Sequence, residues 1–405
     1  MNHNLPNAIL LFCNNLIHRH SKIWRITLLA ITILGFAATA YLIVTTPKLP
    51  NRGCDFFHRH NEIQSILAHK NPYDTWKNFT SVSQMVQLPN APWAYSLALP
   101  ICWLPRPQAL FVFSILELLC IGALLFWTYQ TLIKEMLDAR YAILFTSLSL
   151  FGALRKDLSV GNYVIFCALG VSLMIYFLNH DHQFLAGLSW TLVMIKPQLG
   201  VLLFIPLFLN KRYVCIATAI ITCCLLSLIP SILLSENPIK LLLQTTELGA
   251  QMAADSSRGG LFLLCYRIRQ LPIEVVYKFA FWFGVALVCL LSWFVRKSNN
   301  WLLKLAPAAV YGSFWVYANL CNLNMALFAI VLLSVFIVKS SNPIVVVVSL
   351  LLWGISILPI PHNLPGIALF IKYFIELVTI IFIIYATKKD QTLEKQFYDC
   401  KGKED

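Results

Sequence analysis

Apolar residues in this 405-residue chain fall into blocks of about 15–22, separated by short polar stretches. A bilayer core takes about 20 apolar helical residues to cross. The pattern therefore predicts an all-α, polytopic membrane helical bundle of about 12 spans (11–13) with long outer loops. Span one is read at 24–45 and span two at 108–131. Span three is a short 141–154 and span four is 160–178. Two half-length blocks, 184–195 and 199–209, are joined by Lys196-Pro197-Gln198. Span seven is 213–234, four more follow near 274–295, 301–318, 322–338 and 343–358, and the last is near 366–386. Residues 1–23 read as a cytoplasmic interfacial segment, 24–386 as one transmembrane domain and 387–405 as a cytoplasmic tail. Within the domain, 46–107 is a first outer loop and 235–272 a second. No internal repeat is visible, which speaks against many transporter folds.

Composition agrees: 59% hydrophobic and only 12% charged residues, about half the charge of a soluble domain. The net charge of +13 does not point to nucleic acid, because basic residues sit between apolar blocks. With the N-terminus inside, Arg19, Lys22, Arg25, Lys134, Arg140, Lys211, Arg212, Arg296, Lys297, Lys339, Lys388 and Lys389 fall on one side, as the positive-inside rule requires. Both termini are then cytoplasmic. Twelve cysteines are scattered without zinc spacing and read as small buried hydrophobes. A Cys54–Cys102 disulfide on the outer side is one option.

Several features could carry chemistry. Asp55 follows span one and precedes an interfacial helix with Phe56, Phe57, Ile63, Ile66 and Leu67 on its apolar face, ended by Pro72-Tyr73. It reads either as a general base or as a solvated N-cap. Arg155-Lys156-Asp157 followed by Gly161-Asn162, read as a brief outer loop, forms either an anion site or a snorkelling anchor. Lys196, between two half-helices, is costly in a membrane interior and marks a cavity or site unless it snorkels outward. Glu117 and Glu376, inside apolar spans, read as ion-pathway groups or as inter-helix hydrogen-bonding partners. His362 lies in an outer loop, and Asn78-Phe79-Thr80 fits a glycosylation acceptor pattern. No GxxxxGK[ST], HExxH or DxD motif occurs, so no metal or other cofactor is expected. Alternatives to an enzyme are a transporter or lipid-linked-sugar flippase, favouring Glu117 and Glu376, and a scaffold subunit.

One ordered series of short motifs resembles a known family. It runs Asp55, Pro72-Tyr73, Pro92-Trp93-Ala94-Tyr95, Leu99-Pro100, Leu104-Pro105, Gly161-Asn162-Tyr163, Ala186-Gly187-Leu188 and Lys196-Pro197-Gln198. The series resembles glycosyltransferase family 87, membrane enzymes of the C superfamily that include polyprenol-phosphate-mannose-dependent α-1,2-mannosyltransferases. The resemblance covers roughly residues 50–215, and the rest only by span pattern. It implies a C-type membrane glycosyltransferase fold with its site on the outer face and Asp55 as catalytic base. It implies a polyprenyl-phosphate-sugar donor embedded among membrane lipids and a lipid or glycan acceptor. The donor phosphate or sugar would meet Lys196, Gln198, Arg155, Lys156, Asn162 and Tyr73, with Arg258, Arg267, His362 and Asn324 as further candidates. Gly259-Gly260 would hinge the second outer loop. The compact chain points to a bacterial inner membrane. The family commonly has Gly-Gln where this chain has Gly161-Asn162, and a later histidine-bearing stretch here reads Tyr317-Ala318-Asn319-Leu320-Cys321-Asn322-Leu323-Asn324.

Overall fold

The computed structural model describes residues 53–77, 90–133, 152–255, 273–313, 320–340, 342–357 and 365–389. Every regular element among them is helical. Span one, the Asn78 pattern, Arg258, Gly259-Gly260, Arg267 and His362 lie outside the described residues, so the twelve-span count is not established. Among the described residues, three helical stretches are long and apolar enough to cross a membrane: Arg106–Thr128, Tyr213–Leu234 and Lys278–Val295. Five shorter apolar helices accompany them, including Val164–Asn179, Gln183–Val193 and Pro197–Leu209. The long helices present Phe111, Leu119 and Phe126, Ile220, Leu225 and Ile232, and Trp282, Leu290 and Trp293 outward. An apolar exterior of this kind suits hydrocarbon rather than water.

The chain enters through α1 (Cys54–Leu67), α2 (Pro72–Lys77) and α3 (Pro92–Cys102), followed by the long α4 (Arg106–Ile133). Pro72 does not end the interfacial helix. It begins α2, five residues after the last residue of α1, since a proline needs no amide partner in a first turn,. Phe56, Ile63 and Ile66 of α1 are fully buried, which confirms the predicted apolar face. Gln64 Nε2 donates to Cys102 O (2.6 Å), tying α1 to the end of α3. Cys54 and Cys102 are free thiols.

Next come α5 (Gly152–Val160), α6 (Val164–Asn179) and α7 (Gln183–Val193). The Arg155-Lys156-Asp157 segment is thus helical rather than a loop. α6 and α7 pack closely: a Cβ on Gly170 would lie 2.8 Å from Ser189 O. On the other side, a Cβ on Gly187 would lie 2.6 Å from Cys215 O and from Thr218 Cβ. Small residues let helix backbones approach in this way. Thr218 and Cys215 belong to α10 (Tyr213–Leu234), reached through α8 (Pro197–Gly200), a 3₁₀ turn (Val201–Leu203) and α9 (Phe204–Leu209).

The break between α7 and α8 occurs because Pro197 removes an amide donor and biases Lys196 to extended backbone, φ −116 and ψ 91,. Two indoles cover carbonyls freed by the break. Trp93 Nε1 donates to Met194 O (2.7 Å) and Trp190 Nε1 to Gly200 O (3.0 Å). An interrupted helix is tolerated in a membrane protein where such partners exist. The segment read as a second outer loop contains a helix, α11 (Pro238–Asp255). The chain closes with α12 (Ile273–Val295), α13 (Trp301–Gly312), a 3₁₀ turn (Leu320–Ala326), α14 (Leu327–Lys339), α15 (Pro343–Ile357) and α16 (Pro365–Lys389). α13 is buried along its whole length.

Candidate active site

Asp55 stands in the first turn of α1, whose N-cap is Gly53 in the left-handed region (φ 66). Gly53 N donates to Ser159 O (2.9 Å), fixing the start of α1 against α5. Asp55 is not the N-cap, and no side chain caps this helix. Its carboxylate instead leaves the helix and is buried at 7% exposure. Asn162 Nδ2 donates to Asp55 Oδ2 at 2.5 Å across 107 residues of sequence. The Cys54 thiol donates weakly to Oδ1 at 3.4 Å. A carboxylate in a helix's first turn also faces the positive end of the helix dipole.

The amide is aimed by the end of α5. Gly161 adopts φ 70, the left-handed conformation that commonly closes a helix. Gly161 N and Asn162 N both donate to Asp157 O, at 2.8 and 3.2 Å. Asn162 Oδ1 accepts from Tyr163 N at 2.8 Å, so the amide NH₂ is the end left to face Asp55. Arg59, one turn beyond Asp55, donates from Nη1 to Gly161 O (3.0 Å). Its guanidinium lies 3.9 Å from the Tyr163 ring centroid, a cation–π contact.

Beneath this turn lies a second carboxylate. Asp157 is fully buried. Its Oδ2 accepts from Ile165 N (2.8 Å) and from Asn324 Nδ2 (3.3 Å), the latter from 167 residues away. Burial pushes its carboxyl up to about 7, against the opposing pull of Lys196 and of the Ile165 hydrogen bond, as expected for a desolvated acid. Lys196 is itself 5% exposed, and its Nζ has no hydrogen-bond partner. A small apolar pocket, about large enough for one water, opens beside Asn324, walled by Ile121, Leu124, Ile165, Ala168 and Leu327.

Asp157, bonded to Asn324, lies within reach of the charges of Lys196 and of the Asn162-bonded Asp55, so separate features of the sequence gather around it. Gln198 lies half-buried in the first turn of α8, next to Lys196. Arg155 and Lys156 belong to α5, but their side chains lie outside the described part. Tyr73 sits in an adjoining cluster: its hydroxyl donates to Asn90 O (2.7 Å), while Asn90 Nδ2 donates to Glu62 Oε2 (3.2 Å). Burial raises the Tyr73 phenol above its ordinary range. Glu117 and Glu376 are buried inside α4 and α16. Sequence reasoning missed Asp157, Arg59 and Glu62 as site residues. Asp55, Arg59 and Glu62 recur at i, i+4 and i+7, one face of a helix, and that periodicity was the available signal.

A geometry of two buried, hydrogen-bonded carboxylates with a buried ammonium is compatible with many group transfers. The family model for glycosyltransferase family 87 matches residues 90–317, more than half of the chain. The chain belongs to glycosyltransferase family 87. The matched stretch contains Pro92-Trp93, Gly161-Asn162, Lys196-Pro197-Gln198 and α13; Asp55 and Tyr73 precede it. It also runs well beyond residue 215, where the motif resemblance stops. Family 87 membership makes the protein a membrane glycosyltransferase, which favours the enzyme over the transporter and scaffold readings. Neither curated proteins nor solved structures gave a match to the chain.

Proposed function

We propose that this family 87 enzyme moves a hexose, mannose first among them, from a polyprenyl-phosphate donor to a lipid or glycan acceptor. The reaction takes place on the non-cytoplasmic face of a bacterial inner membrane and inverts the anomeric centre. Asp55 takes the proton of the acceptor hydroxyl as its oxygen attacks the anomeric carbon. The bond from that carbon to the phosphate oxygen breaks, and polyprenyl phosphate departs with the bonding pair.

The observation that carries this reading is the buried carboxylate of Asp55, oriented by Asn162 at 2.5 Å, with the charges of both Asp55 and the buried Lys196 ammonium acting on Asp157. A phosphate leaves as an anion, so one base suffices where glycosidases use two carboxyl groups. The developing charge calls for a cation in a site shielded from water. Lys196 is such a cation, with Arg155 and Lys156 of α5 as further candidates. No step in this scheme calls for a metal.

The test is sugar transfer by the purified protein in proteoliposomes, offering polyprenyl-phosphate sugars and nucleotide sugars side by side, with and without chelator. Transfer from the lipid-linked donors alone, unaffected by chelator, is expected. Transfer from a nucleotide sugar, or full loss with chelator, would overturn the donor or the metal-free chemistry respectively.

A further inference from the structure

Among the polar atoms of the site that are buried without a hydrogen-bond partner are Lys196 Nζ, Asp157 Oδ1 and Asn324 Oδ1. They are neighbours. Asn324 Nδ2 donates to the other oxygen of Asp157 at 3.3 Å, and Lys196 exerts the largest charge effect on Asp157. All three residues are at most 5% exposed. Buried polar groups are nearly always satisfied, and unsatisfied ones call for an explanation. With Asp157 ionised, the deficit of these three atoms has a definite chemistry: one cationic donor and two acceptors.

The proposed donor can be matched to that deficit part by part. Its phosphodiester offers only acceptor oxygens and can use Lys196, which has three N–H groups to share. A phosphodiester cannot satisfy a carboxylate oxygen and an amide oxygen, because it has no proton to give. The hydrocarbon tail has neither donors nor acceptors. Only the hydroxyl groups of the sugar supply O–H. We infer that Asp157 and Asn324 are the subsite that reads hydroxyls of the donor hexose, with Lys196 spanning sugar and phosphate. This rests on the donor class proposed above and names the residues that select its sugar. Asp55 remains the base on the acceptor side. The geometry leaves Oδ2 of Asp157 committed to Ile165 N and Asn324 Nδ2, so Oδ1 is the oxygen left for the ligand.

That commitment sharpens the experiment. In Asp157→Asn the side-chain oxygen must take the place of Oδ2, so the amide nitrogen replaces Oδ1 and turns an acceptor into a donor. Asn324→Ala deletes the second acceptor with a smaller change. Wild type and both variants, checked for folding by thermal melt, would be reconstituted in nanodiscs. Binding of polyprenyl-phosphate mannose, glucose and galactose would be compared with bare polyprenyl phosphate. Wild type should bind its preferred sugar-lipid at least about tenfold more tightly than the bare lipid, the scale of a hydrogen bond to a charged group. Both variants should bring that ratio close to one while retaining the bare lipid. A role in holding the fold would weaken both lipids alike and leave the ratio standing, which would overturn the assignment. Should Asp157→Asn fail to fold, the ratio for Asn324→Ala decides alone. Wild type that binds neither lipid would overturn the donor class and this subsite with it.

Discussion

Gly161→Ala is the substitution whose effect can be worked most completely from the structure. Gly161 sits at φ 70, and placing an L-residue with a Cβ there costs about 1–2 kcal/mol. A Cβ at this position would also lie 2.8 Å from Phe56 Cβ and 3.6 Å from both Phe56 N and Phe113 Cε1. Phe56 Cβ is no flexible tip; it is fixed to the first turn of α1 and is fully buried. Overpacking of this kind adds about 1–3 kcal/mol. The total, about 2–5 kcal/mol, is a large share of a typical folding free energy of about 5–15 kcal/mol. The relief must come from moving α1 and the α5–α6 turn apart. Asp55 adjoins Phe56 and Asn162 adjoins Gly161, so the same movement lengthens the Asn162–Asp55 hydrogen bond. Thermal unfolding in detergent and sugar transfer in proteoliposomes should therefore both fall, transfer by tenfold or more for a misplaced base. Gly122→Ala is the control: nothing lies within 4 Å of its added Cβ, and replacing a mid-helix glycine should gain up to about 1 kcal/mol. Gly161→Ala with wild-type melting and wild-type transfer would refute the argument.

Other consequences follow from the same contacts. Gly187→Ala should destabilise without touching the site, because its Cβ would lie 2.6 Å from backbone Cys215 O; a melt as high as wild type would contradict the tight α7–α10 contact. Lys196→Ala should raise KM for the lipid-linked donor by about tenfold or more with the acceptor KM little changed, and equal changes in both would remove its phosphate role. Asp157 titrates near 3.8 when unfolded and about 7 when folded. Its contribution to stability is full below the lower value and is lost as pH rises through the upper one, because ionising the buried acid is costly. The wild-type melting temperature should drop more between pH 5 and 8 than that of Asp157→Asn; parallel curves would show that Asp157 is not responsible.

The long helices were legible because apolar runs of membrane length have few other outcomes. The observed Tyr213–Leu234 coincides with the span read from sequence. The break at Lys196-Pro197 was legible for a local reason, the proline. Less legible were places where tertiary contacts decide. Val160–Tyr163 was read as the beginning of a span, yet the chain turns at Gly161 and α6 starts at Val164. The left-handed backbone at Gly161 and the approach of Phe56, distant in sequence, together call for glycine there. Asp55 was recognisable as a carboxylate beside an apolar span, but that it caps no helix and is held by Asn162, 107 residues away, was not legible. Asp157 was overlooked because two basic neighbours gave its segment the look of an anion site. Its actual partners, Ile165 N and Asn324, come from the next helix and from the far end of the chain.

The central claim is that Asp55 takes the acceptor's proton. Its most direct test is Asp55→Asn, in which an amide cannot accept that proton but can still occupy the space beside Asn162. Donor binding and single-turnover transfer would be measured on the same reconstituted protein. The account predicts donor affinity within a few-fold of wild type and a transfer rate lower by about 10²–10⁴-fold. A variant that binds donor and transfers sugar at the wild-type rate would contradict it.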